Sequence, residues 1–279
     1  MKQFKYGLAA AMVLMSPLAA NAGVLNVFSA NEDTAAALTP TVDAFRAALG
    51  TLNSNDPVNG DANGRRQINW DAAPDAVSDP NAFPGDFFNA NVAPRARGIE
   101  FRAAGNTTGF QLSSTAASGE PVEFGFPAGF TFFSAERLFT PVGDTVFDVV
   151  FFDPADQVTQ AVTRGLGVVF TDVESNTGAT MSFYDIDDTL LYEQNVLSGS
   201  NASLSFLGVT FTDAEVARVR INAGIEGFDS IVMDDFIFGE PVAATNAVPL
   251  PASLAFLPAG LAALGLMRRR RPGAIDPVV

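Results

Sequence analysis

The chain has 279 residues, with 31 acidic and 16 basic side chains, a formal net charge of −15, and neither histidine nor cysteine. Without those two residues, Ser-His-Asp hydrolysis, Cys-His nucleophiles, histidine-bound zinc and c-type haem are excluded in their usual forms, and no disulfide can brace the fold. There is no G-x-x-x-x-G-K-[ST] loop and no strand running into G-x-G-x-x-G, so those routes to nucleotide binding are excluded as well.

In chain order, Lys2 and Lys5 precede an apolar stretch from Leu8 to Leu18, and Ala20-Asn21-Ala22 has the small-x-small form of a cleavage site. The expectation is a secretory signal peptide over residues 1–22, cut between Ala22 and Gly23. From Gly23 to Glu240 the body keeps ten arginines, no lysine and 30 acids, a net charge of about −20. Such a surface repels nucleic acid and anionic lipid and favours cations.

Residues 23–64 read as an N-terminal helix and loop. Leu38, Val42, Phe45 and Leu49 recur at helical spacing, Thr39 can cap, Pro40 suits the first helical position and Gly50 ends the run. One short helix over Pro40–Leu49 is predicted. The loop that follows, Leu52 to Gly64, contains Asn59-Gly60-Asp61-Ala62-Asn63-Gly64, which echoes half a calcium loop. Trp70 stands where that loop needs its closing glutamate, so a plain turn is favoured. Arg65-Arg66 reads as a solvated loop, and the sole tryptophan, Trp70, reads as a core residue beside Ile68.

Residues 65–240 read as short strands separated by turns, with no helix between them. The expected strands are Gly98–Arg102, Gly109–Ser113, Pro121–Phe126, Phe130–Phe133, Thr145–Phe152, Gly165–Asp172, Thr180–Tyr184, Ser203–Thr212, Val216–Asn222 and Ser230–Phe238. With 25 phenylalanines against three tyrosines, the interior is phenylalanine-packed. The fold class is therefore mainly β: a jelly-roll-like antiparallel β-sandwich with one short N-terminal helix.

Thirty acids without histidine leave two chemistries open. A carboxylate pair would serve a glycoside hydrolase or lyase, with Glu100, Glu123 and Glu174 beside strands, although solvated strand faces are the plainer explanation of them. Calcium takes carboxylates and carbonyls, so a structural Ca2+ is the cofactor considered. Its candidate ligands are Asp234 and Asp235, which a regular strand would point to opposite faces, and Asp185, Asp187 and Asp188, otherwise a hairpin tip. Neither chemistry is needed by a structural coat protein.

Residues 241–247 form a linker. Leu250 to Met267 is then uncharged over 18 residues, enough for a helix of about 27 Å, close to a bilayer's hydrocarbon thickness. It is apolar all round, and Arg268, Arg269, Arg270 and Arg271 follow it as a cytoplasmic stop. A C-terminal transmembrane helix over 250–267 is expected.

The box Val248-Pro249-Leu250-Pro251-Ala252, the apolar span and the arginine cluster together resemble the VPLPA variant of the PEP-CTERM sorting signals of Gram-negative bacteria. That resemblance, over 248–279, implies recognition near the box by an exosortase-type transpeptidase. It also implies transient anchoring in the inner membrane, then release to the outer surface or extracellular matrix. Pro272–Val279 extends past the arginines, where such tails usually end. Gly167–Val173, Leu204–Val209 and Val232–Pro241, with Ile68–Asp71 and Phe83–Asn89, are similar to a recurring secreted bacterial domain that accompanies such tails. The Asp-Asp-aromatic ending is also similar to the last strand of jelly-roll binding modules. The resemblance implies a non-enzymatic surface or matrix protein, partnered by exopolysaccharide or neighbouring surface proteins; the alternatives are a carboxylate-pair glycosidase or lyase, or a purely structural coat.

Overall fold

Apolar side chains on one face of short strands, or on both faces where a helix covers the sheet, build two antiparallel sheets that close on one phenylalanine-rich core. The structure is a computed structural model, and it describes residues 23–120, 122–126, 128–174, 178–224 and 231–244. The first elements are β1 (Val24–Glu32), α1 (Ala35–Leu49), β2 (Arg65–Ile68), β3 (Ile99–Ala103), β4 (Gly109–Leu112), β5 (Phe139–Val142), β6 (Val146–Phe151) and β7 (Ala161–Val162). They are followed by β8 (Gly165–Thr171), β9 (Thr180–Tyr184), β10 (Leu190–Asn195), β11 (Leu204–Phe211), β12 (Arg218–Asn222), β13 (Val232–Gly239) and β14 (Val242–Ala243).

One sheet runs β1-β11-β8-β13-β5-β4, with β2 also pairing β13, and the other runs β10-β9-β12-β6-β3. β7 and β14 form a separate pair. The two sheets meet through rings: Phe101 lies 4.8 Å from Phe139, Phe151 5.7 Å from Phe238, and Phe183 5.6 Å from Phe211, centroid to centroid. Each such side chain, fully buried, contributes roughly 1.5–3 kcal/mol of transfer free energy.

α1 adds a third layer on the outer face of the larger sheet. Thr34 caps it by accepting from the Ala37 amide, and Leu38, Val42, Phe45 and Leu49 are all buried. Phe45 sits over two glycines that face each other across β8 and β11, Gly167 and Gly208. A Cβ on Gly167 would stand 2.6 Å from Phe45, and one on Gly208 2.7 Å from it. Two bare backbones thus make the socket, and Phe28 and Phe206 close it edge-on.

The expected core strands of 145–152, 165–172, 180–184, 203–212 and 216–222 appear within one or two residues. The helix begins five residues before the expected Pro40, because Thr34 is the cap. Thr39 instead donates its hydroxyl to the Ala35 carbonyl inside the helix. Segment 23–64, expected as helix and loop, opens with β1, which pairs β11 along most of its length. Two expected strands are corrected. In Pro121–Phe126, Glu123 and Phe124 have left-handed φ of 49° and 54°, which a strand does not allow. In Phe130–Phe133 the amides bond to side chains: Phe130 to Glu123, Thr131 to Thr171 and Phe133 to Asp234. No ladder forms there.

β1 ends the larger sheet. Among the described residues no strand pairs its second edge, and Val24, Leu25 and Val27 on it are exposed. By contrast β4 is bridged by Phe83, and β2 by Leu52. Among the described residues no helix is long and apolar enough to cross a membrane. The cleavage site at Ala20 and Ala22, the Val248–Ala252 box, the expected span 250–267 and Arg268–Arg271 lie outside the described residues.

Candidate functional site

Two places gather the side chains singled out in the sequence. The first is Asp234 and Asp235. They do not point to opposite faces as a regular strand would place them. β13 shifts register between Met233 and Phe236, whose partners on β8 are Phe170 and Val168, so two residues stand against Val169 alone. This β-bulge brings both carboxylates to one hydroxyl. Ser134 Oγ lies 2.9 Å from Asp234 Oδ1 and 2.7 Å from Asp235 Oδ1. Asp234 Oδ2 accepts from the amides of Phe133 (2.7 Å) and Ser134 (3.1 Å), and Asp235 Oδ2 accepts from Arg46 Nη2 on α1 (2.9 Å). Protein groups therefore contact all four oxygens.

Both acids are buried, Asp234 completely. Burial first, and then the negative charge of Asp235, pushes the Asp234 carboxyl well above the usual carboxylate range. Burial also raises Asp235, against the pull of Ser134 and Arg46. One hydroxyl hydrogen on Ser134 cannot fully serve two carboxylates, which is a second reason for a proton to be held more tightly here. Asp71 is a third neighbour, its carboxyl raised by burial and, in smaller part, by Asp235. Among the described residues no three acids converge as a metal site.

This pair makes stability depend on pH. The native state holds protons more tightly than the unfolded chain, so the stabilisation is complete below the unfolded carboxylate pKa of about 3.9 and is lost as pH rises through the native values. Unfolding free energy should fall as pH is raised from about 4, and Asp234→Asn should flatten that slope. Urea titrations from pH 4 to 8 check this; equal slopes in the two proteins would contradict it.

Asp185, Asp187 and Asp188 lie at the tip between β9 and β10, on the other sheet. Asp185 Oδ1 accepts from the amides of Asp187 (2.9 Å) and Thr189 (2.8 Å), which folds the tip, and Asp187 is exposed. Asp188 reaches back to Arg218 at 2.9 Å. The two aspartate groups, read from the sequence as separate places, lie on different sheets.

Asp188 leads to the second place, the outer face of the five-stranded sheet. Along β12 Val219 and Ile221 enter the core, leaving Arg218 and Arg220 outward. Arg220 grips Asp148 of β6 with two nitrogens, at 2.9 and 2.8 Å, and that bond raises its already high pKa. Arg218 spans Asp148 and Asp188 and lies 3.9 Å above the Tyr184 ring. Arg102 of β3 holds Glu100 at 3.0 Å and covers Phe152, and Ser182 donates to Glu193 at 2.7 Å. Alternating residues of β12 signalled an outward arginine row; its carboxylate partners come from other strands, which sequence spacing does not reveal.

No family model matches this chain, and no curated protein matches it. Among solved structures it has a slight likeness to the enzymatically active domain of tailspike protein 4 of bacteriophage CBA120, at 14% identity and a TM-score of 0.27. The match covers 57% of this chain and 20% of that one, so the chain spans about a fifth of that structure. At that level the likeness bears on neither fold nor activity.

Proposed function

We propose that this chain is an exported surface or matrix protein whose body is a non-enzymatic, jelly-roll-like module associating with exopolysaccharide. An exosortase-type transpeptidase acting at Val248–Ala252 is the proposed processing partner, on the strength of the box, the apolar span and the arginine stop in the sequence. The observation that carries the binding reading is the outer face of the five-stranded sheet. There, three arginines are held in ion pairs on a surface that no helix or strand covers among the described residues. Charged planar groups fixed in advance lose little entropy on meeting a hydroxyl-rich ligand.

The non-enzymatic part rests on the acids. A glycosidase needs a carboxyl with a raised pKa facing substrate. Here the most strongly raised carboxyl, Asp234, is fully buried and hydrogen-bonded through both oxygens. In this reading the pair is a brace between α1, β13 and the Ser134 loop.

Co-sedimentation of Gly23–Ala244, which contains both sheets and their core, with the producing strain's exopolysaccharide tests the proposal. Retention is expected, equal in calcium and in chelator, because protein groups already contact the Asp234 and Asp235 oxygens. Protein left in the supernatant under both conditions would rule out glycan association. The open β1 edge favours a second reading, a coat that binds itself by strand pairing. Its sign would be pelleting without polymer.

A further inference from the structure

The outer face of the five-stranded sheet is ordered in rows. Glu193, Ser182, Arg220, Asp148 and Arg102 stand directly opposite one another across β10, β9, β12, β6 and β3. Neighbouring strands are about 4.8 Å apart, so the row is roughly 19 Å long, and Arg220 and Arg102 stand about 9.6 Å apart. Beside it runs a second row, Leu190, Tyr184, Arg218, Val150 and Glu100, in which the Arg218 guanidinium lies over the tyrosine ring.

The side chains of these rows differ from other arginines of the body. Arg66, Arg97 and Arg137 are buried. Arg102 and Arg220, by contrast, expose 51% and 43% of their side chains, on the same face. Each gives Nε and Nη2 to a carboxylate and keeps further N–H donors for an outside acceptor. Glu193 at the far end of the row is an exposed acceptor. The face therefore presents the exposed donors of Arg220 and Arg102 and the exposed acceptor Glu193, with Ser182 and Asp148 between them largely covered and holding their neighbours in place.

Charge selects among ligands of that kind. Arg102, Arg218 and Arg220 share the face with Glu100, Asp148, Asp188 and Glu193, so it has no positive excess, and the body around it carries about −20. A polyanion gains nothing there and is repelled by the rest of the molecule. A protein partner would need an apolar centre, whereas the one strongly exposed apolar side chain of these rows, Leu190, stands at an end, Tyr184 lies under Arg218 and Val150 is buried. We infer that this face binds an uncharged, hydroxyl-rich polysaccharide laid across the strands, with Arg102 and Arg220, the latter held by Asp148, as its central contacts. The inference rests on the glycan-association reading above and adds the site, the direction of the chain and its lack of charge.

The test separates the producing strain's exopolysaccharide by anion exchange into neutral and acidic fractions and measures binding of Gly23–Ala244 to each. Arg220→Ala and Arg102→Ala are compared with Asp213→Ala, an exposed acid beyond the end of β11, and thermal midpoints confirm folding of all three. The expected result is retention by the neutral fraction, weakened about tenfold or more by either arginine variant and unchanged by Asp213→Ala. Arg102 belongs to the edge strand β3, so its variant stands even if Arg220→Ala unfolds the sheet. Preference for the acidic fraction overturns the uncharged ligand. Full binding by both arginine variants overturns the site while leaving glycan association standing. No binding to either fraction overturns both.

Discussion

Replacing Glu240 by alanine is expected to lower the unfolding free energy by about 3–5 kcal/mol, the range for stripping one partner from a buried ion pair. Glu240 and Arg66 meet through two 2.7 Å bonds at the end of β13, and neither is exposed by more than 1%. The carboxylate also accepts from Asn53 (2.8 Å) and the Gly60 amide (2.7 Å), so it ties the 50–64 loop to β2 and β13. Nearby Arg97 is 7% exposed, and burial together with Arg66 pushes its pKa down to about 10. Without Glu240, two buried cations would face each other with no anion beside Arg66. Urea unfolding gives the change from the midpoint at constant slope. A double variant, Arg66→Met with Glu240→Leu, should recover most of the loss, since the penalty comes from the uncompensated charge. A change under about 1 kcal/mol in Glu240→Ala would show that the pair is not the clasp described.

Trp70→Ala should cost a similar amount, about 3–5 kcal/mol. Trp70 is 1% exposed and stacks on Phe139 at 4.6 Å, with Phe83, Phe88, Phe101 and Phe236 around its edges. It joins β3 of one sheet to β5 and β13 of the other, and its indole N–H donates to the Asp234 carbonyl. The residue holds a left-handed backbone at φ 65°, a strain that such packing offsets. Trp70→Phe keeps most of the ring contacts but orphans that carbonyl, so a loss of about 1–3 kcal/mol is expected. Calorimetric or urea unfolding of both variants checks the order. Equal losses would mean that the hydrogen bond, and not the packing, dominates.

These two residues also show how far the sequence could be read. Trp70 reads as core from its neighbour Ile68 alone, and it is core. Arg66, beside a polar loop, reads as solvated, yet it is among the most buried side chains. Its partner lies 174 positions away, and no local pattern carries that distance. The same holds for the strands. β6, β8, β9 and β11 keep apolar or alternating runs and are legible, whereas β2 and β5 have four residues each and β10 has no buried residue, so these become strands through neighbours. At the acid pair, the Asp-Asp-aromatic triplet singled out two carboxylates that lie buried against one serine. Its geometry was hidden because a bulge inserts one residue and abolishes the period-two alternation that the reading assumed.

The way the body holds its arginines bears on its resistance to proteolysis. With no lysine from Gly23 to Glu240, a trypsin-like protease has only ten arginines after which to cut. Three are buried, Arg46 lies in α1, and Arg65, Arg102, Arg218 and Arg220 lie in strands, where the backbone is engaged in ladders. Arg95 and Arg164 remain outside those elements. Each is pinned, Arg95 on the Phe87 ring and carbonyl, Arg164 between Asn63 and the last turn of α1. A protease of that class needs an accessible, extended segment. The ion pairs and stacks that order the surface thus leave the folded body with almost no accessible bond for a protease of trypsin-like specificity.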